Sequence, residues 1–306
     1  MASQKPKSSP KSNNQQGKTV RLWIAGARLR TLPLAMAPVL LGCCSPLALQ
    51  QFKLPLALLA LAVALFLQIG VNYANDYSDG IRGTDAVRVG PMRLTGSKAV
   101  PAAAVKRAAF ICFGLAALAG AVIVLLTHQW WLIAVGAACV LAAWFYTGGK
   151  RPYGYAGLGE LAVFIFFGLV ATVGTAYIQE GAFDQTALVF GVAAGCFAVA
   201  VLLVNNLRDI NQDKLVGKRT LSTRIGAGWT KALFVFNLWF PLAVAIFVSL
   251  VFNTAIYGLG AIFLVGPATL ILFQARGPKN LITVLKLSSY ASLAFALLEL
   301  LAFSIQ

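Results

Sequence analysis

Residues 54–79 read LPLALLALAVALFLQIGVNYANDYSD, an apolar run that ends in a cluster of asparagine and aspartate. The run is long enough to cross the ~30 Å hydrocarbon layer of a bilayer as one α-helix. Residues 186–213 repeat the arrangement as TALVFGVAAGCFAVAVLLVNNLRDINQD, again with the polar cluster at the carboxyl end. The two runs therefore predict membrane-spanning helices that each bring carboxylates to a membrane boundary, where such groups usually have a function.

The composition of the whole chain also indicates a membrane protein. Hydrophobic residues make up 59% of the 306 residues and charged residues 11%, and the mean hydropathy is +0.79. These values lie outside the range of soluble domains. We expect residues 1–20 to form a disordered polar tail and residues 21–306 to form a single transmembrane domain. Apolar stretches predict an all-α bundle of nine transmembrane helices at 32–50, 54–75, 104–126, 130–147, 160–178, 186–206, 232–252, 254–274 and 287–304.

The distribution of cations predicts the orientation of this bundle. If the N-terminus is cytoplasmic, 24 of the 25 Lys and Arg residues fall on the cytoplasmic side, and only Lys53 does not. Cytoplasmic loops are enriched in Lys and Arg, so this bias places both Asn/Asp clusters at the cytoplasmic face of the cell membrane. Because topology accounts for the net charge of +16, we expect no nucleic-acid partner.

The spacing of the two clusters predicts a metal site. In each cluster the polar residues recur at intervals of three or four, which places them on one helix face. They are Asn72, Asp76 and Asp79 in the first cluster and Asn205, Asp209 and Asp213 in the second. Two carboxylates ~6 Å apart repel by roughly 3 kcal/mol at an effective dielectric of ~20, so a counter-charge is expected. Oxygen-only donors suit Mg²⁺, which also binds phosphate oxygens. We predict two Mg²⁺ ions that hold one diphosphate; solvated helix caps are the alternative.

The cysteine and histidine content, together with the position of the two clusters, weighs against two other classes of protein. The five cysteines show no metal-binding spacing, and the single histidine, His128, lies in a predicted loop away from both clusters. A zinc site and histidine acid–base catalysis are therefore not indicated. A secondary transporter is the alternative from another class, but transporters usually place their ion sites near the bilayer midplane on interrupted helices.

Basic and aromatic residues accompany the clusters. Arg93 follows the first cluster and Lys218 the second, and residues 146–155 (YTGGKRPYGY), which include Lys150, follow the fourth predicted span. Cations beside a metal-bound phosphate stabilise the charge that develops on a leaving group. Cytoplasmic loops are basic in any case, however.

These motifs resemble the UbiA superfamily of intramembrane prenyltransferases. That family has an N-x-x-x-D motif on its second helix and a D-x-x-x-D motif on its sixth, in a nine-helix bundle. The likeness covers roughly residues 21–305 and is closest to the branch of 1,4-dihydroxy-2-naphthoate polyprenyltransferases. Three further runs carry this finer likeness: RLRTLPLA at 28–35, RPYGYAGLGE at 151–160 and GKRTL at 217–221. In that family a proline is common at the position of Leu29, and some relatives have Asp at the position of Glu160. Neither difference affects the aspartates of the two motifs.

The resemblance implies an activity and a set of site residues. A polyprenyl group would pass from polyprenyl diphosphate to 1,4-dihydroxy-2-naphthoate, with loss of CO₂, to give demethylmenaquinone for menaquinone biosynthesis. The implied Mg²⁺ ligands are Asp76, Asp79, Asp209 and Asp213. The residues implied to complete or orient that shell are Asn72, Asn75, Asn205 and Asn206. The implied diphosphate-binding cations are Arg28, Arg93, Lys150 and Lys218, and the rings that would stabilise an allylic cation are those of Tyr146 and Tyr153. A different aromatic acceptor, such as 4-hydroxybenzoate, is the alternative within the family.

Overall fold

The computed structural model of the chain describes residues 20–83 and 93–305, and this part of the chain contains helices and no β-strand. We number the helices in chain order and join segments that only a kink or a change of helix type divides. They are α1 (Val20–Thr31), α2 (Pro33–Ala48), α3 (Leu54–Arg82), α4 (Ala102–Thr127), α5 (Leu132–Phe145), α6 (Gly159–Glu180), α7 (Gln185–Leu215), α8 (Leu221–Ser249), α9 (Asn253–Gln274) and α10 (Pro278–Ser304). Residues 1–19 of the predicted tail lie outside the described residues, and its last residue, Val20, begins α1.

The number of full-length spans differs from the prediction. Among the described residues, seven helices (α3, α4 and α6–α10) are long and apolar enough to cross a bilayer, and α1 with α2, bent by 48° at their junction, would make an eighth. The predicted span 130–147 corresponds to α5, which has only 14 residues. At 1.5 Å per residue this helix is about 21 Å long, which is too short for a ~30 Å hydrocarbon layer. The described residues thus form an all-helical protein with seven or eight candidate spans, and the predicted nine are not confirmed.

Two helices continue beyond the predicted apolar spans and carry the polar clusters. α3 runs on to Arg82 and ends at Gly83, whose φ of 72° is accessible to glycine at little cost and whose N–H bonds back to the carbonyls of Asp79 and Gly80. α7 runs on to Leu215. Because no proline interrupts either extension, both clusters keep helical spacing, as the sequence predicted.

The helices pack as two groups around a central helix. α7 is the most buried of the candidate spans, and it packs against α6, α8 and α10. Phe190 and Phe197 of α7 both contact the ring of Phe295 in α10, with centroids 6.5 and 5.6 Å apart. On the other side α3 packs along α4, and α5 packs mainly against these two helices. The space between the two groups is the cavity described below.

Helices α6 and α7 approach each other so closely that their backbones touch. A Cβ atom at Gly168 of α6 would lie 2.6 Å from the carbonyl oxygen of Gly191 and 2.6 Å from Cα of Gly195. The two α7 glycines are four residues apart, the small-residue spacing that lets membrane helices pack closely. Gly168 lies in a π-helical segment, Phe164–Val170, which widens the turn at this contact.

We predict that Gly168→Ala lowers the Tm of the purified protein in detergent. The added methyl group has to push two backbones apart, and overpacking of this kind costs about 1–3 kcal/mol. Gly174→Ala in the same helix is the matched control, because a Cβ there would meet no atom within 4 Å. The control should keep or raise the Tm, since alanine favours helix. Equal Tm values for the two variants would contradict the close packing of α6 and α7.

Candidate active site

A cavity of about 950 Å³ lies between the two helix groups and is lined by residues of α1 to α7 and by Leu285 of α10. The end of the bundle where the clusters of α3 and α7 lie is called the motif face, and the opposite end the distal face. The cavity is polar at the motif face and apolar elsewhere. Its polar wall includes predicted site residues from both clusters and from the segments between helices: Arg28, Asn72, Asn75, Asp79, Arg93, Tyr146, Tyr153, Asn205, Asn206, Asp209, Asp213 and Lys218. The two clusters therefore share one site.

Asp79 is the carboxylate on which the connecting segments converge. The hydroxyl of Tyr155 donates to Oδ1 of Asp79, and Nζ of Lys218 lies 3.3 Å from the same oxygen. Nη2 of Arg93 lies 3.5 Å from Oδ2. Lys218 also lies 4.3 Å from the centroid of the Tyr155 ring, a cation–π contact. Asp79 thus joins the segments that follow α3, α5 and α7 at the mouth of the cavity.

Asp76, one turn earlier on α3, faces the connecting segment and not the cavity. Its Oδ2 accepts the N–H of Leu94 and its Oδ1 the N–H of Thr95, both at 2.8 Å. The residue is 1% exposed. Because hydrogen bonds to an ionised acceptor are the strong ones, Asp76 fixes the turn that begins at Arg93. Its assignment as a metal ligand stays a prediction, which would require at least one of these bonds to be exchanged.

Asp209 is paired with its own neighbour. Nε and Nη2 of Arg208 donate to the two carboxylate oxygens of Asp209 at 2.7 and 2.6 Å, and Nη2 also donates to Oδ1 of Asn205 at 2.8 Å. One turn on, the backbone carbonyl of Asp213 accepts the N–H of Lys218 at 2.8 Å, which folds the end of α7 back over the cavity. The second cluster therefore contains its own cation.

The asparagines of α3 bind neighbouring elements through their side chains. Nδ2 of Asn72 donates to the carbonyl of Ala27 at 2.9 Å and to Oγ1 of Thr31 at 3.2 Å. Oδ1 of Asn75 accepts the hydroxyl of Thr147 at 2.7 Å. These contacts fix α1 and the segment after α5 against α3, so the amides position the wall of the cavity.

An amide of α7 binds the start of α6 in the same way. Nδ2 of Asn206 donates to Oε1 of Glu160 at 3.0 Å. This bond accounts for the placement of Glu160, which is buried beside the motif face. The start of α6 is thus held beside the second cluster.

The predicted aromatic residues and Lys150 are placed differently. Tyr146 and Tyr153 line the cavity with ring centroids 5.6 Å apart, and the hydroxyl of Tyr153 donates to the carbonyl of Ala142 at 2.8 Å. Burial raises the pKa of Tyr153 to about 12, so this phenol is neutral at physiological pH. Lys150 is exposed and lies off the cavity wall, so the structure does not bring it to the other predicted cations, and its contact with diphosphate stays a prediction.

The sequence prediction assigned no role to three residues that shape the site. Nε2 of Gln68 donates to Oγ1 of Thr31 at 2.9 Å, and its position four residues before Asn72 on the same helix face was an available signal. Tyr155 binds a partner 76 residues away, and no local spacing indicates such a contact. Arg208 precedes Asp209 directly in the sequence, but adjacency alone does not indicate that its guanidinium pairs with that carboxylate.

The donor set fits magnesium that is shared with a phosphate ligand. The described residues contain no group of three or more His, Cys, Asp and Glu side chains close enough to hold a metal. Oxygen donors from both clusters nevertheless line one cavity, notably Asp79, Asp209 and Asp213. Mg²⁺ usually takes one or two carboxylates and completes its shell with water and substrate phosphate. The arrangement therefore suits an ion that arrives with a diphosphate better than one that the protein alone would bind.

The sequence matches a known family and closely similar relatives. The model of the UbiA prenyltransferase family matches residues 35–289. A relative from Mycobacterium tuberculosis (strain ATCC 25618 / H37Rv), named 1,4-dihydroxy-2-naphthoate octaprenyltransferase, is 48% identical over 275 residues. The match covers 90% of this chain and 94% of the relative.

The fold is also similar to solved archaeal structures. The apo structure of a UbiA homolog from Aeropyrum pernix K1 matches with a TM-score of 0.63 and 15% identity, over 91% of this chain and 98% of that one. A UbiA homolog from Archaeoglobus fulgidus, bound to DMAPP and Mg²⁺, matches with a TM-score of 0.56 and 16% identity, over 91% and 99%. At these identities the likeness shows the fold alone.

We predict that Asp76→Asn loosens the segment after Arg93. Asparagine offers one acceptor oxygen and turns an amide N–H toward the second backbone donor, so one bond to the charged carboxylate is lost. Such a bond contributes about 1.5–3 kcal/mol, and amide hydrogen exchange over residues 93–100 should therefore rise by about tenfold or more. Hydrogen exchange with mass spectrometry measures this rate. Asp209→Asn is the control and should leave this segment unchanged; equal exchange in both variants would contradict the anchoring role.

Proposed function

This chain belongs to the UbiA prenyltransferase family, and we propose that it transfers a polyprenyl group from polyprenyl diphosphate to 1,4-dihydroxy-2-naphthoate. The products are diphosphate, CO₂ and demethylmenaquinol, the hydroquinone form of demethylmenaquinone, and the reaction is a step of menaquinone biosynthesis. One observation carries the assignment: 48% identity over nearly the whole length of a relative that is named for this acceptor.

The shape of the cavity supports this proposal. A polyprenyl diphosphate has a strongly anionic head and an apolar tail, and the cavity has one polar end and a long apolar remainder. Arg93 and Lys218 lie at that polar end, both beside Asp79. With the head at the motif face, these cations would contact phosphate oxygens, and Arg28 on the same wall would add a third positive charge.

Two Mg²⁺ ions are part of the proposal. Asp79, Asp209 and Asp213 would hold them, with the amides of Asn75 and Asn205 as further oxygen donors. When bound, magnesium supplies positive charge that stabilises the departing diphosphate. Arg208 would then have to release part of its bidentate contact with Asp209.

The reaction needs little acid–base chemistry from the protein. The allylic C–O bond of the donor breaks, diphosphate leaves with the electron pair, and the carboxylate-bearing ring carbon of the acceptor attacks the allylic cation. The new C–C bond replaces the bond to the carboxylate, whose electrons restore the aromatic ring as CO₂ departs. Tyr146 and Tyr153 present neutral rings to this part of the cavity, where they would stabilise the cation. The apolar wall keeps water from capturing the cation.

We propose that residues 21–306 form one transmembrane domain of the cell membrane with the motif face toward the cytoplasm. The support is the placement of Lys and Arg: 24 of 25 fall on that side when the N-terminus is cytoplasmic. A soluble diphosphate product would then be released into the cytoplasm, while the prenylated ring stays in the bilayer.

We predict that Asp79→Asn and Asp213→Asn each lower kcat by about 10²–10³-fold, the usual loss when a group that stabilises transition-state charge is removed. Turnover is measured in detergent or proteoliposomes with saturating Mg²⁺. Asp184→Asn is the matched control, because Asp184 caps the distal end of α7 by accepting the N–H of Ala187 at 2.7 Å and asparagine caps a helix equally well. Activity near that of the parent in all three variants would contradict the proposed roles of Asp79 and Asp213.

The acceptor is tested by comparing substrates with one prenyl diphosphate. We expect kcat/KM for 1,4-dihydroxy-2-naphthoate to exceed that for 4-hydroxybenzoate by at least about 10²-fold, because the site must match the ring that it prenylates. A preference for 4-hydroxybenzoate would contradict the proposed acceptor but not the assignment to the family. No Mg²⁺-dependent release of diphosphate with any acceptor would overturn prenyl transfer and favour a transporter.

A further inference from the structure

The cavity continues from the polar end as a long apolar tunnel. Along α3 its lining extends from Asp79 back to Ala60, which is about 28 Å at 1.5 Å per residue. Just beyond that level the backbone N–H of Lys53 donates to Oε1 of Gln179 at 2.8 Å, and Nζ of Lys53 donates to the Gln179 carbonyl at 2.7 Å. These bonds tie the α2–α3 connection to the end of α6 at the distal face.

Two half-buried glycines leave space open in the distal part of the tunnel, which the exposed Gly136 of α5 also lines. Gly120 of α4 and Gly174 of α6 both line the cavity, and a Cβ atom at either would meet no atom within 4 Å. Gly120 lies seven residues before the end of α4, Gly174 six before the end of α6, and Ala60 six after the start of α3. At 1.5 Å per residue, all three lie about 10 Å from the distal ends of their helices, so they are at one level of the tunnel.

Close packing does not explain why glycine occupies these two positions. A glycine inside a helix costs about 1 kcal/mol relative to alanine, and a tight contact usually accounts for it. Gly70 of α3 is an example, since a Cβ there would lie 2.5 Å from the ring of Phe113. At Gly120 and Gly174 the space that a side chain would fill belongs to the tunnel.

We propose that Gly120 and Gly174 determine how long a prenyl chain the donor can carry. The inference rests on the function proposed above, with the diphosphate at the motif face and the tail in the tunnel. A leucine at either position would fill the part of the tunnel that the distal isoprene units reach. It would leave the tunnel near Asp79 unchanged. Each buried CH₂ group contributes about fourfold to affinity, so displacing one isoprene unit weakens binding by more than about tenfold.

The test compares short and long donors. Gly120→Leu and Gly174→Leu are assayed with geranyl and octaprenyl diphosphate for kcat/KM and, without acceptor, for binding affinity. Gly114→Leu is the matched control: it lies in α4, its Cβ would also meet no atom within 4 Å, and it is exposed and not part of the cavity lining. We expect both values for octaprenyl diphosphate to fall by at least about tenfold in the two tunnel variants, with less than about twofold change for geranyl diphosphate. The control should keep the parent ratio between donors.

Two results would overturn the inference. An equal loss for both donors would mean that the substitutions act on folding or on chemistry, and Tm values for the variants would identify a folding loss. An unchanged ratio would mean that the chain leaves sideways past α5 before it reaches this level. Failure of the proposed function is a separate outcome, in which the parent protein prenylates dihydroxynaphthoate with neither donor. The binding measurements would then still report whether the two glycines select donors by chain length.

Discussion

The architecture of the site depends on the burial of one carboxylate, Asp79, which is 4% exposed. A buried charge without partners costs several kcal/mol, so the chain has to bring donors to it. The donors are Arg93, Tyr155 and Lys218, one from each of the segments that follow α3, α5 and α7. Satisfying this carboxylate therefore draws three connections over the mouth of the cavity and places their cations where an anionic head group would enter.

Helical periodicity predicted which residues share a face, but it did not identify their partners. Asp76 and Asp79 lie on the same face of α3, as their spacing required, yet one binds the backbone at Leu94 and Thr95 and the other binds Tyr155 and Lys218. The direction of each side chain is set by connections whose course the local sequence does not encode. The sequence thus predicted the membrane bundle, the meeting of the two clusters and most residues of the polar wall.

The structure departs from the sequence pattern at two places, for similar physical reasons. Residues 130–147 are apolar enough for a span, but the chain leaves the helix at Phe145 and turns at Gly149, whose φ is 75°. That turn leaves Lys150 on the exposed surface, although its position in the sequence is close to Tyr146 and Tyr153. Hydropathy measures how apolar a segment is and cannot indicate where tertiary contacts end the helix.

The pairing of Arg208 with Asp209 has a consequence for how the protein is assembled. Together with the partners of Asp76 and Asp79, it balances negative charge inside the bundle by means of the chain's own groups. Proteins whose ligand side chains lack such internal partners often unfold when a chelator removes the metal. On the proposed function, biosynthesis and insertion into the bilayer would not require a divalent ion, and the ion would belong to the catalytic cycle and not to the folded scaffold.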